Sequence, residues 1–216
     1  MKIVKIASLL SLGLLTSGCV ISINAHDEDR DRQAQTRDVM GDFDKLVVNG
    51  SVRVDVQVGA EASIVVMGDS HSVYDTKTLI NDGTLIVDRV SSRGDRPRVR
   101  ITTPSLTSLT SGSRIEAHVS GLNAETWTLT TSGRGNVYLS GNCGEANYTL
   151  SGRTDVHADN LTCNTVNIMH SGRGDLEVYA GEMVNITQSG KGDVSIMGSA
   201  QIGQRMVSGE GRLILK

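Results

Sequence analysis

Aromatic side chains are scarce, with one Trp, one Phe and four Tyr in 216 residues. That scarcity excludes the stacked-ring platforms on which single-stranded nucleic acids or sugars lie. No sign of charge dominates either, since 24 acidic residues face 21 basic ones for a formal net charge of −3. Without a global basic field, nucleic acid is excluded as a partner. The chain contains no Gly-x-Ser-x-Gly elbow, no phosphate loop and no dinucleotide fingerprint. Its five histidines, His26, His71, His118, His157 and His170, fall at no metal-ligand spacing. No enzyme, cofactor or metal site is expected.

What is plentiful is glycine, 24 residues of it, together with Ser, Thr, Val, Ile and Leu. With so few rings, the core must be built from aliphatic and small side chains. β-Branched residues and turn formers in this proportion favour strands over helices.

The chain opens as an export address. Lys2 and Lys5 precede a short apolar run, Ala7 to Leu15, and the small residues Thr16, Ser17 and Gly18 lead to Cys19. A run of about ten residues is half of what a bilayer span requires and suits a cleavable signal. A Cys directly after small residues resembles a bacterial lipobox, although Thr16 stands where Leu is usual. The expectation is a lipoprotein-type signal over 1–18 and lipidation of Cys19. Ordinary cleavage near Ala25 is the alternative. Residues 19–41, rich in mixed charge and poor in apolar side chains, read as a flexible tether.

The strongest pattern is a repeat. Ser-Gly recurs at 111, 132, 151, 171, 189 and 208, in steps of 21, 19, 20, 18 and 19 residues. Ser-Gly-(Arg/Lys)-Gly-(Asn/Asp)-aliphatic surrounds it, with Thr154 in place of the second Gly in one copy. Apolar residues alternate on both sides, as in Val137 and Leu139 after one corner and Val166 and Ile168 before another. A period of 19–20 residues with alternation and no helical apolar pattern predicts a parallel β-helix, a β-solenoid stacked about 4.8 Å per coil. A second break nine residues on, at Ser120-Gly121, Ser140-Gly141, Asp159-Asn160, Ala180-Gly181 and Gly198-Ser199, gives each coil two corners. Residues 111–216 form this regular part. Residues 42–110 keep the alternation without the period, for example in Val52, Val54, Val56 and Val58, and predict irregular N-terminal coils that cap the stack.

Equivalent positions then form columns. Thr128, Asn147, Asn167 and Asn185 make an outward ladder that reads as structural hydrogen bonding. Ala124, Cys143, Cys163, Gly181 and Ala200 make a column of small residues. Cys143 and Cys163 in it are one coil apart, a spacing that suits a disulfide or equally two buried thiols. Arg134, Arg153, Arg173 and Lys191 make a basic column, with Asn136, Asp155, Asp175 and Asp193 beside it. These two columns either neutralise each other at a structural corner or line a charged groove for a glycan. Calcium at the Asp column is disfavoured because the second corner does not repeat the Gly-x-Asp pattern.

The segments Phe43-Asp44-Lys45-Leu46-Val47-Val48-Asn49-Gly50-Ser51-Val52, Asp82-Gly83-Thr84-Leu85 and Pro104-Ser105-Leu106, together with the Ser-Gly repeats, resemble the GIN domain. That family is described as an auto-transporter adhesin head domain. The resemblance spans roughly 42–216 and implies a right-handed parallel β-helix in an exported bacterial envelope protein. No catalytic or binding residues come with it. The expected function is a non-catalytic envelope lipoprotein, anchored in the outer membrane through its lipid and facing the periplasm or the surface. It would be an adhesin-like module for a glycan or an envelope or host surface protein. A periplasmic scaffold is the alternative, and a small carbohydrate-active enzyme a more distant one.

Overall fold

The computed structural model describes residues 32–91 and 93–216, so the signal segment 1–18 and Cys19 lie outside the described residues. From Arg114 onward the chain runs in long strands of 17 or 18 residues. These are β9 (Arg114–Thr131), β10 (Arg134–Leu150) and β11 (Arg153–His170). β12 (Leu176–Gln188), β13 (Val194–Met197), β14 (Gln201–Val207) and β15 (Leu213–Leu215) continue the stack. All of these pair in parallel with the coil before or after them. The alternation places Val137, Leu139, Val156, Ala158, Leu176 and Val178 inside, each almost fully buried. The protein is a β-solenoid.

The Ser-Gly corner has a steric cause. A Cβ added at Gly133, Gly152 or Gly190 would lie 1.8, 2.0 or 2.2 Å from a carbonyl oxygen of the preceding coil. Only glycine lets the coils approach that closely. The second break is also a glycine corner: Gly121, Gly141 and Gly198 take positive φ of 75°, 134° and 103°. In the long strands the pairing continues across it with a register slip, between Leu139 and Gly141 on one side and between Tyr138 and Ser140 on the other. One such slip also corrects the small-residue column, because Ala180, not Gly181, pairs with Cys163.

The N-terminal coils are stacked out of chain order. β2 (Lys45–Asn49) and β3 (Val52–Val58) form one coil. β6 (Thr84–Arg89) and β7 (Arg98–Thr103) lie on one side of it, and β8 (Ser108–Ser111) with the start of β9 on the other. Two antiparallel strands close the far end: β4 (Ser63–Asp69) on β7, and β5 (Thr76–Asn81) on β6. A short helix, α1 (Ser70–Asp75), links them. Among the described residues no helix is long and apolar enough to cross a membrane.

Part of the expected tether is ordered. β1 (Arg32–Arg37) pairs antiparallel with β4, and Arg37 donates to the carbonyls of Val73 and Thr76 at 2.7 and 3.1 Å. Apolar content was the wrong criterion there. An edge strand is held by backbone bonds and can leave its side chains in solvent, as β1 does, while covering the exposed edge of β4.

Candidate functional site

Arg134 stands in register with Arg114 on one side and Arg153 on the other. The chain continues the line through backbone bonds: Arg153 N–H donates to Gly133 O at 2.7 Å, Arg173 to Gly152 O at 2.8 Å and Lys191 to Gly172 O at 2.8 Å. The structure thus brings Arg134, Arg153, Arg173 and Lys191 into one column. It also adds Arg114, which sequence reading missed because the extra Ser113 offsets it. The 21-residue first step was the signal of that insertion.

The column is uneven. Lys191 is committed, its Nζ lying 3.0 and 2.9 Å from the two carboxylate oxygens of Glu210. Among the described residues no ion pair involves Arg114, Arg134, Arg153 or Arg173, and all four are exposed. They line a shallow groove of about 540 Å³ whose floor is the Ser-Gly corner of four successive coils. Like charges one strand spacing apart repel by about 1 kcal/mol in water, a cost left uncompensated within the column.

Among the described residues no ion pair joins the two columns. Asn136 pairs with the positions of Glu116 and Asp155. Asp155 accepts the backbone N–H of Asp175 at 2.9 Å, Asp175 that of Asp193 at 2.8 Å, and Asp193 that of Arg212 at 2.8 Å. Each carboxylate staples its coil to the next. Asp193 also takes the Arg212 guanidinium at 2.6 Å, and that side-chain bond holds its carboxyl below the ordinary value. Glu116 is engaged by Arg53 and Arg96, each at 3.1 Å.

Other columns are structural. Asn167 donates to Asn147 and Asn185 donates to Asn167, each at 2.9 Å, and Asn185 accepts the N–H of Gln204. Cys143 and Cys163 are joined in a disulfide with Cα atoms 4.6 Å apart. A column that sequence reading missed stacks His118, Tyr138 and His157, with ring centroids 4.6 and 4.7 Å apart, and His157 Nδ1 lies 3.0 Å from Glu177. Steps of 20 and 19 residues carried that signal. Comparing histidines only with one another hid it, since the middle ring is a tyrosine. Among the described residues no group of three or more His, Cys, Asp or Glu is placed to hold a metal.

Parallel coils that stack equivalent residues into columns along an open corner are the architecture of a parallel β-solenoid. Residues 42–200 match the family model described as "Putative auto-transporter adhesin, head GIN domain", and the chain belongs to that family. No curated protein matches the sequence. Among solved structures it is similar to a "putative adhesin" from Bacteroides fragilis NCTC 9343, at 19% identity and a TM-score of 0.71, over 87% of this chain and 98% of that one. It is also similar to a "putative lipid binding protein" from Parabacteroides distasonis ATCC 8503, at 16% identity and a TM-score of 0.57, over 86% and 98%. At these identities the likeness is one of fold.

Proposed function

We propose that this chain is a non-catalytic, adhesin-like binding module of the bacterial cell envelope, held at a membrane by a lipid on Cys19. Its partner would be an extended one, such as a glycan or a surface protein, lying along the Ser-Gly-Arg corner. The observation that carries this reading is the file of four exposed arginines that form no ion pair among the described residues. A structural corner would gain from neutralising them, as the stack does at Lys191 and Glu210. Membership of a family described by adhesion agrees with it. A hydrolytic role fits poorly, because cleaving a glycosidic bond takes two carboxyls flanking one site. Here Asp155, Asp175 and Asp193 accept backbone N–H groups.

Protease shaving of intact cells expressing the full chain tests the reading, with spheroplasts and a periplasmic marker as controls. Cleavage of the domain in intact cells supports an outward-facing adhesin. Protection until the outer membrane is opened overturns it in favour of a periplasmic scaffold. Labelling with a palmitate analogue, lost in Cys19→Ala, tests the anchor separately.

A further inference from the structure

We propose that the groove over Arg114, Arg134, Arg153 and Arg173 binds an extended acidic polysaccharide whose sugars carry carboxylates, laid parallel to the solenoid axis. This rests on the reading of the chain as an envelope binding module and names the chemistry of its ligand.

Three features of the groove select that chemistry. The first is charge and shape of the donor. A guanidinium offers a planar fork that pairs with a carboxylate through two parallel N–H···O bonds, and four such forks face solvent with no carboxylate among the described residues committed to them.

The second is period. The parallel ladder repeats the fork at every strand spacing, so four arginines span about 14 Å. A sugar residue in an extended polyuronate advances by nearly one strand spacing. One uronate can therefore meet one arginine, or every second arginine where alternate sugars turn their carboxylates away.

The third is the floor. The groove is lined only by Ser, Gly and Arg. Glycine lets a chain approach the backbone closely. The hydroxyls of Ser132 and Ser151 can donate to or accept from sugar hydroxyls. The absence of rings in that lining disfavours a single-stranded nucleic acid, which draws its affinity from base stacking, and the chain's net negative charge opposes a long polyanion beyond the groove. The column also has a defined end, because Glu210 occupies the next cation, Lys191. A segment of about four sugars is the natural site size.

The test is titration of the full chain with short polygalacturonate and polymannuronate oligomers at low salt. Dextran serves as the neutral control, and polyphosphate and single-stranded DNA as phosphate polymers. Arg134→Gln/Arg153→Gln is compared with the charge-matched Arg100→Gln/Arg205→Gln, which removes two exposed arginines elsewhere. The expected result is uronate binding that weakens about tenfold or more in the column variant, from loss of charge-assisted bonds, and changes little in the control variant. Unaltered thermal melting of the column variant shows that it is folded. Equal weakening in both variants, equal or tighter binding of phosphate polymers, or no binding of any uronate oligomer each overturns the proposal. A surface-exposed domain in the shaving experiment would leave the adhesin reading standing through any of these failures.

Discussion

The carboxylate of Asp175 accepts the backbone N–H of Asp193, 2.8 Å away on the following coil. With Asp155 and Asp193 doing the same for Asp175 and Arg212, the acidic column is a run of coil-to-coil staples. Asn keeps an acceptor oxygen in that position and Ala does not. Asp175→Asn should therefore leave stability nearly unchanged, while Asp175→Ala should cost about 1 kcal/mol. Urea midpoints measured with an unchanged m-value would check the difference.

Substitution of corner glycines should separate two kinds of position. A Cβ at Gly152 would lie 2.0 Å from Gly133 O and 2.5 Å from Ser132 O, both backbone atoms that the ladder holds in place. At Gly112 the nearest atom is the Ser132 hydroxyl at 3.4 Å. Gly152→Ala should lose at least about 3 kcal/mol or fail to fold, while Gly112→Ala should cost under about 1 kcal/mol. Thermal melts of the two variants side by side decide it.

The coil period, the basic column and the inward alternation were legible because each depends on residues close in sequence and repeated. Arg114 and the His118–Tyr138–His157 stack were partly legible, hidden by one inserted serine and by a change of residue type. The stacking of β2 and β3 between later coils was not legible. Val52, Val54, Val56 and Val58 mark an inward face but say nothing about which strands flank it. Nor did β1 announce itself, since backbone pairing leaves no apolar trace. The role of Asp155, Asp175 and Asp193 was obscured for a similar reason: a carboxylate that bonds a main-chain N–H looks in sequence like one that faces a ligand.

The disulfide closes a loop of 20 residues between Cys143 and Cys163. In the chain-entropy account such a loop is worth about 3 kcal/mol. The Cys143→Ala/Cys163→Ala variant should lose that amount, and reductant should lower the wild-type melting temperature while leaving the variant's unchanged. Alkylation followed by intact mass measurement should leave both residues unmodified in the native, unreduced protein.

Acid should loosen the cap at α1. Asp69 accepts the backbone N–H and the hydroxyl of Ser72 at 2.9 and 2.7 Å and also the N–H of Asp95. These bonds, the Ser72 N–H foremost, hold its carboxyl far below the ordinary carboxylate range. Because the folded value lies below the unfolded one of about 3.9, the contribution is complete above that pH and is lost as pH falls through the folded value. Asp69→Asn should flatten this acid-side slope. Protection of the Ser72 and Asp95 amides, expressed relative to their intrinsic exchange rates and followed from pH 5 to 2.5, should fall in the wild type. A wild-type profile as flat as the variant's would refute the assignment.

His170 shows how the buried corner is satisfied. Its Nε2 lies 2.7 Å from Gly174 O, an acceptor only, so Nε2 carries the proton and donates. One coil on, Gln188 makes the same reach to Gly192 O at 2.8 Å. A Cβ at Gly192 would lie 2.0 Å from the Gly174 carbonyl oxygen, with the His170 ring a further contact at 2.9 Å. In the preceding coil Leu150 fills the equivalent place, and Thr154 rather than Gly stands four residues later. Each of these side chains satisfies a carbonyl at the corner of its own coil, and that predicts unequal tolerance. His170→Gln should keep the bond, as Gln188 does, and stay within about 1 kcal/mol of wild type. His170→Leu should strand a buried carbonyl and cost about 1–3 kcal/mol. If both variants melt together, the hydrogen bond contributes nothing and packing alone holds the corner.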